Sequence, residues 1–206
     1  MDRVIAYVDG FNLYFGLKDS GWKRYYWLNV QALALSLLTP NQQLVATKYF
    51  TARVSATKHD PDKPRRQNTY LEALETLADL RILYGSYLPK YIDCNNCGRG
   101  WNTFSEKGTD VNIAVEILAD GVENKMDVAL LISADSDLCG AIRAFRRICG
   151  PKDVVVWFPP RRYSKELADL AKWSGTIHRG KFKACQFPDS VLKRDGYALR
   201  RPASWR

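Results

Sequence analysis

Four aspartates and one asparagine stand at borders between apolar and polar runs of this chain. Asp9 and Asn12 follow the run "VIAYV" in "YVDGFNLYFGL", Asp110 opens "TDVNIAVEIL", and Asp135 and Asp137 close "LLISADSDL". Carboxylates gathered in one place repel, and each raises the other's pKa unless a cation intervenes. Mg2+ or Mn2+ meets that need: a hard divalent ion takes oxygen ligands, keeps waters, and stabilises charge on a phosphoryl group. Taken singly, each aspartate is explained as a helix cap or turn residue. Taken as a set at strand and helix ends, Asp9, Asp110, Asp135 and Asp137 predict a metal site.

Competing chemistries are poorly supplied. The chain has no G-x-x-x-x-G-K-[ST] phosphate loop, no G-x-G-x-x-G after its first apolar run and no G-x-S-x-G elbow. His59 and His178 are its two histidines, too few for a paired-histidine acid and base, although one could still assist. Five cysteines are an odd number for a disulfide framework, so reduced thiols are expected. Cys94 and Cys97 form a C-x-x-C, half of a zinc site, and only Cys139, Cys149, Cys185, His59 and His178 remain to complete it. A tight reduced turn in "DCNNCGRG" is the expectation.

The elements that must position the aspartates alternate. Strands are predicted at "VIAYV", "LVATKYFTARV", "DLRILYGSY", "DVALLIS" and "DVVVWF". Helices are predicted at "NVQALALSLL", "PRRQNTYLEALETLADL", "TDVNIAVEILADG", "DLCGAIRAFRRICG" and "SKELADLAKW". Such alternation implies βαβ units and a parallel sheet covered on both faces. Ligands of such sheets bind beyond the carboxyl ends of the strands, where the strand order reverses. If the first and fourth strands are neighbours, Asp9, Asp135 and Asp137 converge, and Asp110 reaches the same edge from the start of its helix. Loops at 54–63 and 88–106 are the expected insertions.

With 206 residues, 46% hydrophobic and 26% charged, the chain is expected to fold as one domain over 1–206 rather than to be disordered. No apolar run approaches the roughly 18 residues of a membrane span, and the N-terminus lacks a signal-peptide plan, so a cytoplasmic protein without a membrane partner is expected. The net charge of +9 is unevenly placed. Residues 1–160 carry 19 Lys and Arg against 18 Asp and Glu, whereas 161–206 carry 12 against 4. That basic C-terminal part interleaves Tyr163, Trp173, Phe182, Phe187, Tyr197 and Trp205, a mixture suited to phosphates and stacked bases, or equally to a solvated face with its aromatics packed into the core.

The segments "YVDGFNLYFGL", "EKGTDVNIAVEIL" and "LLISADSDL", in that order, resemble the NYN domains of the PIN-like nuclease superfamily, in their bacterial LabA-like branch. The likeness extends through "KYFTARV", "RRQNTYLEAL", "QFPD" and "RPASW". It implies a PIN-like Rossmannoid three-layer α/β fold with a mainly parallel central sheet, and metal-dependent cleavage of RNA. Asp9, Asp110, Asp135 and Asp137 match the acidic motif residues and Asn12 the motif asparagine, which implies that Asn12 orients Asp9 or contacts substrate; turn-forming is its alternative. Ala134 and Glu116 depart from common family residues. Glu116 lies six positions beyond Asp110 and so points about 120° away on an ideal helix. Lys107, Arg53, Arg65, Arg66, Arg143, Arg146 and Arg147 are the candidate substrate contacts. RNA is the expected partner, with single-stranded DNA second. Alternatives from other classes are a non-catalytic nucleic-acid-binding or adaptor module and a metal-dependent phosphatase.

Overall fold

A computed structural model describes residues 1–93, 97 and 100–206, with side chains described outside 87–93 and 101–107. The chain runs β1 (Asp2–Asp9), α1 (Gly10–Asp19), α2 (Val30–Ser36), β2 (Gln42–Thr51), α3 (Lys63–Leu74), β3 (Leu80–Tyr84), β4 (Ser86–Asp93), β5 (Gly100–Lys107) and α4 (Thr109–Val122). It continues with β6 (Val128–Ile132), α5 (Cys139–Ile148), β7 (Asp153–Phe158), α6 (Lys165–Leu170), β8 (Trp173–Thr176), α7 (Arg179–Ala184), β9 (Ser190–Leu192) and β10 (Ala198–Arg200). Six strands form one all-parallel sheet in the order β3-β2-β1-β6-β7-β8. This is the parallel α/β arrangement expected from the alternation of elements, and it is consistent with the PIN-like fold that the resemblance implies.

Period-two patterning in β1 builds two cores. Val4, Ala6 and Val8 pack on one face with Leu13 and Leu17 of α1, Leu33 of α2 and Leu71 and Leu74 of α3. Ile5 and Tyr7 face the other way, toward Ile113 and Ile117 of α4, Ile142 and Phe145 of α5 and Leu167 of α6. Burial on both faces explains why "VIAYV" reads as continuously apolar. The C-terminal segment completes the first core with Phe182, Phe187, Leu199 and Trp205, whereas Tyr163, Trp173 and Tyr197 are exposed. Part of the aromatic content of the basic segment is therefore core, and of the exposed rings Trp173 packs on Trp157 and Tyr163 on Phe158.

Several boundaries differ from the pattern-based ones. "DLRILYGSY" breaks at Gly85 into β3 and β4, and the expected loop at 88–106 contains most of an antiparallel β4–β5 hairpin outside the main sheet. The stretch "SKELADLAKW" is not one helix: α6 stops at Leu170, and Trp173 opens the edge strand β8. Likewise α3 ends at Leu74, and Leu80 already belongs to β3. In these last two cases strand pairing takes residues that helical periodicity would claim. Cys97 is exposed in a turn, and Cys94 lies outside the described residues, so the C-x-x-C question falls outside them too.

Candidate metal centre

The strand order reverses between β1 and β6, because the chain fills β2 and β3 on one side of β1 before returning to β6 on the other. Asp9 sits at the carboxyl end of β1, and the loop after β6 carries Ser133, Ala134 and Asp135 across from it. Asp110 comes from the first turn of α4. It follows Gly108, whose φ of 87° puts the backbone in the left-handed region that glycine tolerates best. Ligand atoms of Asp9, Asp110 and Asp135 all lie within 4.8 Å of one another, with Asp9 buried and the other two half-buried.

Neighbouring groups hold these carboxylates in place. Asp9 caps α1: one oxygen accepts the backbone N–H of Asn12 at 2.9 Å, and the other accepts the Ser133 hydroxyl at 2.8 Å. The Asn12 side-chain oxygen accepts the Ala134 N–H at 3.1 Å, tying α1 to the β6 loop. Ser133 Oγ also accepts the Asp135 N–H at 3.1 Å, and Asp135 in turn accepts the Asp137 N–H at 3.0 Å. Burial is the main cause that lifts the Asp9 carboxyl to a pKa of about 7, with Asp110 and Asp135 adding to it and the two hydrogen bonds opposing it.

Asp137 is placed differently from the other three. It is exposed in the one-turn helix Ser136–Leu138 and stands outside the group of three, which it reaches through its backbone bond to Asp135. Ser133 is the residue that motif reasoning passes over. Its signal in the sequence is only a small hydroxyl closing an apolar run, and its contact with Asp9 is made across 124 positions of sequence. Ser133→Ala is expected to weaken divalent-ion binding about tenfold or more, as loss of a group orienting a ligand does. Calorimetric titration with Mn2+ measures this.

The candidate basic residues lie on several different elements. Arg53 follows the carboxyl end of β2, lies 4.9 Å from the Tyr84 ring centroid and donates to Asn68. Arg65 and Arg66 start α3, close in sequence to their partners Asp62 and Asp60. The backbone of Lys107 ends β5 just before Gly108; its side chain is outside the described ones. Arg143 pairs with Glu166 at 2.5 Å. Arg146 and Arg147 lie in the last turn of α5, roughly 10 Å along the helix from its start beside the acidic loop. Glu116 faces away from the site, paired with Lys48 at 2.5 Å on the α4 face of the sheet.

The donor set is oxygen only, compact and partly buried, which fits a hard divalent cation better than a soft one. Among the described residues no helix is long and apolar enough to cross a membrane. A similar protein is the 6-hydroxy-3-succinoylpyridine 3-monooxygenase HspA of Pseudomonas putida (strain DSM 28022 / S16). It is 27% identical over 241 residues, taking in 98% of this chain and 75% of that protein. A protein of unknown function from Vibrio parahaemolyticus RIMD 2210633, of solved structure, overlays with a TM-score of 0.54 at 19% identity. That overlay covers 86% of this chain and 94% of the other, and it is a likeness of fold. The NYN domain matches residues 3–173, a span that contains Asp9, Asp110 and Asp135 and reaches the first residue of β8. The chain belongs to the NYN domain family.

Proposed function

We propose that this chain is a cytoplasmic, metal-dependent ribonuclease that hydrolyses RNA phosphodiester bonds, working as one domain over 1–206. The observation that carries the proposal is the convergence of Asp9, Asp110 and Asp135 at the switch point of an NYN fold. An ionised Asp9 buried beside two carboxylates is costly, and a divalent cation removes that cost. Mg2+ or Mn2+, when bound, would supply an acidified water and charge stabilisation for the phosphoryl oxygens. The chain's own part is orientation. Ser133 and the Asn12 N–H aim the two oxygens of Asp9, the Asn12 side chain fixes the β6 loop, and Asp137 holds Asp135 through its N–H. Asn12 is thus assigned a positioning role, and Asp137 one beside the three ligands.

Substrate charge is met in this proposal by basic groups on the carboxyl side of the sheet, Arg53, Arg65, Arg66, Lys107 and Arg143, with Arg146 and Arg147 farther along α5. RNA is preferred, with single-stranded DNA as the second substrate. The deciding experiment incubates single- and double-stranded RNA and DNA with the protein plus Mg2+ or Mn2+, with chelator controls. Metal-dependent RNA cleavage supports the enzyme. Binding without cleavage indicates an adaptor, and turnover of a generic phosphate monoester alone indicates a phosphatase.

A second reading has its own support. The relative named as a monooxygenase of a pyridine-bearing acid is alignable over nearly the whole chain, and a cavity of about 700 Å³ lined by aromatic rings begins at Gly10, the residue after Asp9. Oxygen uptake with 6-hydroxy-3-succinoylpyridine and a reductant, in the absence of RNA cleavage, would favour it.

The C-terminal segment is proposed to add RNA affinity. Lys193 already pairs with Glu72 at 3.0 Å, and Lys181 donates to the Ser36 carbonyl, which leaves Lys183 and Arg194 exposed without a carboxylate partner among the described residues. Neutralising Lys183 and Arg194 is expected to weaken RNA binding and to reduce the slope of log K against log salt by about 1 to 2. Single-turnover cleavage at saturating RNA should be unchanged. Fluorescence titrations across a salt series check the slope.

A further inference from the structure

The cavity beside the acidic site begins at Gly10, the residue after Asp9. A Cβ at Gly10 would meet the Tyr49 hydroxyl and the Phe50 carbonyl at 2.6 Å, so the glycine lets the end of the Tyr49 ring close against the start of α1. From there the space, about 700 Å³, extends between α1, α3 and Trp205. This is within the range of ligand-binding cavities, roughly 300 to 1,000 Å³.

Its walls are aromatic and braced against one another. Tyr14 stands 5.0 Å from Tyr26 and 5.3 Å from Phe15, centroid to centroid. Burial is the main cause that raises both phenols above their ordinary pKa, so both hydroxyls stay protonated and can donate as well as accept. The charge lining the cavity is one-sided. Lys18, Lys23, Lys63 and Arg66 face a single carboxylate, Asp60, which Arg66 takes at 2.5 Å. Lys23 and Lys63 have no carboxylate partner among the described residues. A planar ring carrying an anion complements such a space: aromatic faces and hydroxyls for the ring, lysines for the charge.

We propose that this cavity is a nucleotide subsite, which takes one base of the bound strand against Phe15, Tyr14 and Tyr26 and its phosphate at the cavity's lysines. The assignment rests on the ribonuclease reading for its polymer. Its place next to Asp9, with Gly10 and Tyr49 in its wall, favours it over a free aromatic acid, because a strand whose phosphate lies at the acidic group would bring a neighbouring base within reach of α1. Nucleotide binding in the cavity does not require the carboxylates.

The test uses the full chain and measures UMP and AMP binding by calorimetry, with benzoate as the anion-bearing ring that lacks ribose and phosphate. Phe15 is 39% exposed, so Phe15→Ala leaves the core intact, and Lys63→Gln removes charge alone. Each is expected to weaken mononucleotide binding about tenfold, in keeping with the loss of a stacking face or a phosphate contact. Asp135→Asn should leave that binding unchanged, and Phe15→Ala should raise the KM for RNA with kcat nearly constant. The proposal is overturned if mononucleotides do not bind, if neither variant changes their affinity, or if benzoate binds as tightly as UMP. RNA cleavage with a KM unmoved by Phe15→Ala overturns the subsite and spares the ribonuclease reading. Variant-sensitive UMP binding without cleavage of any RNA sinks the ribonuclease reading and leaves a nucleotide site.

Discussion

Replacing Asp9 with asparagine is expected to lower RNA cleavage by about 1,000-fold or more, equivalent to about 4 kcal/mol of transition-state stabilisation, while making the metal-free protein more stable above neutral pH. The first effect follows from removing the charge of the buried member of the triad. The second follows from the Asp9 pKa, raised by burial first and by Asp110 and Asp135 after it. Its folded-state value of about 7 lies above the unfolded one, so the native state binds the proton more tightly. Stability from this group is fully present below pH ~4 and is lost as pH rises to about 7. The penalty at pH 8 is on the order of 4 kcal/mol before relaxation. Asparagine escapes it but accepts less well from the Asn12 N–H and Ser133 together, so a net gain of about 1 to 2 kcal/mol is expected, or several degrees in Tm. Thermal melts in chelator at pH 5 and pH 8 check this: the variant should gain at pH 8 and not at pH 5. Equal shifts at both pH values would contradict the buried-charge account. Adding Mn2+ should raise the Tm of the parent far more than that of the variant.

Replacing Lys48 with methionine is expected to destabilise the protein by roughly 3 to 5 kcal/mol, although Lys48 lies away from the acidic site. Lys48 is buried on β2 beside Tyr7 and pairs with Glu116 at 2.5 Å and with Asp120. Asp120 is 2% exposed and also accepts the Tyr7 hydroxyl at 2.6 Å. Methionine keeps the volume and removes the buried cation from two carboxylates, one fully buried; among the described residues Glu116 keeps only the exposed Arg81 at 3.8 Å. Lys125, 3.7 Å from Asp120 and itself exposed, is a poor replacement. A fall in Tm of about 6 to 20 °C should appear in calorimetry. Combining Lys48→Met with Glu116→Gln and Asp120→Asn should recover much of the loss, since neutral partners no longer bury unpaired charge. If the triple variant is no better than the single one, the loss comes from packing instead.

By itself the sequence determined the α/β class, the positions of the junctions and the types of residue at them. Apolar runs buried on both faces stand out against their flanks, and a carboxylate that ends such a run has little choice but to sit at the strand's carboxyl edge. "VIAYVD" and "LLISAD" were legible for that reason, and "TDVNIAVEIL" because Ile113 and Ile117 recur at helical spacing. Only the tertiary structure decided that β1 and β6 are neighbours, and with it that Asp9 and Asp135 meet while Asp137 stands outside the group. It also decided β8, a four-residue edge strand with no buried residue and thus no hydrophobic pattern to announce it. Ser133 as the partner of Asp9, the Lys48 network and the aromatic cavity all join residues far apart in the chain. Local propensity does not encode such pairs, because their energy comes from burial and charge compensation that exist only once the sheet has closed its order.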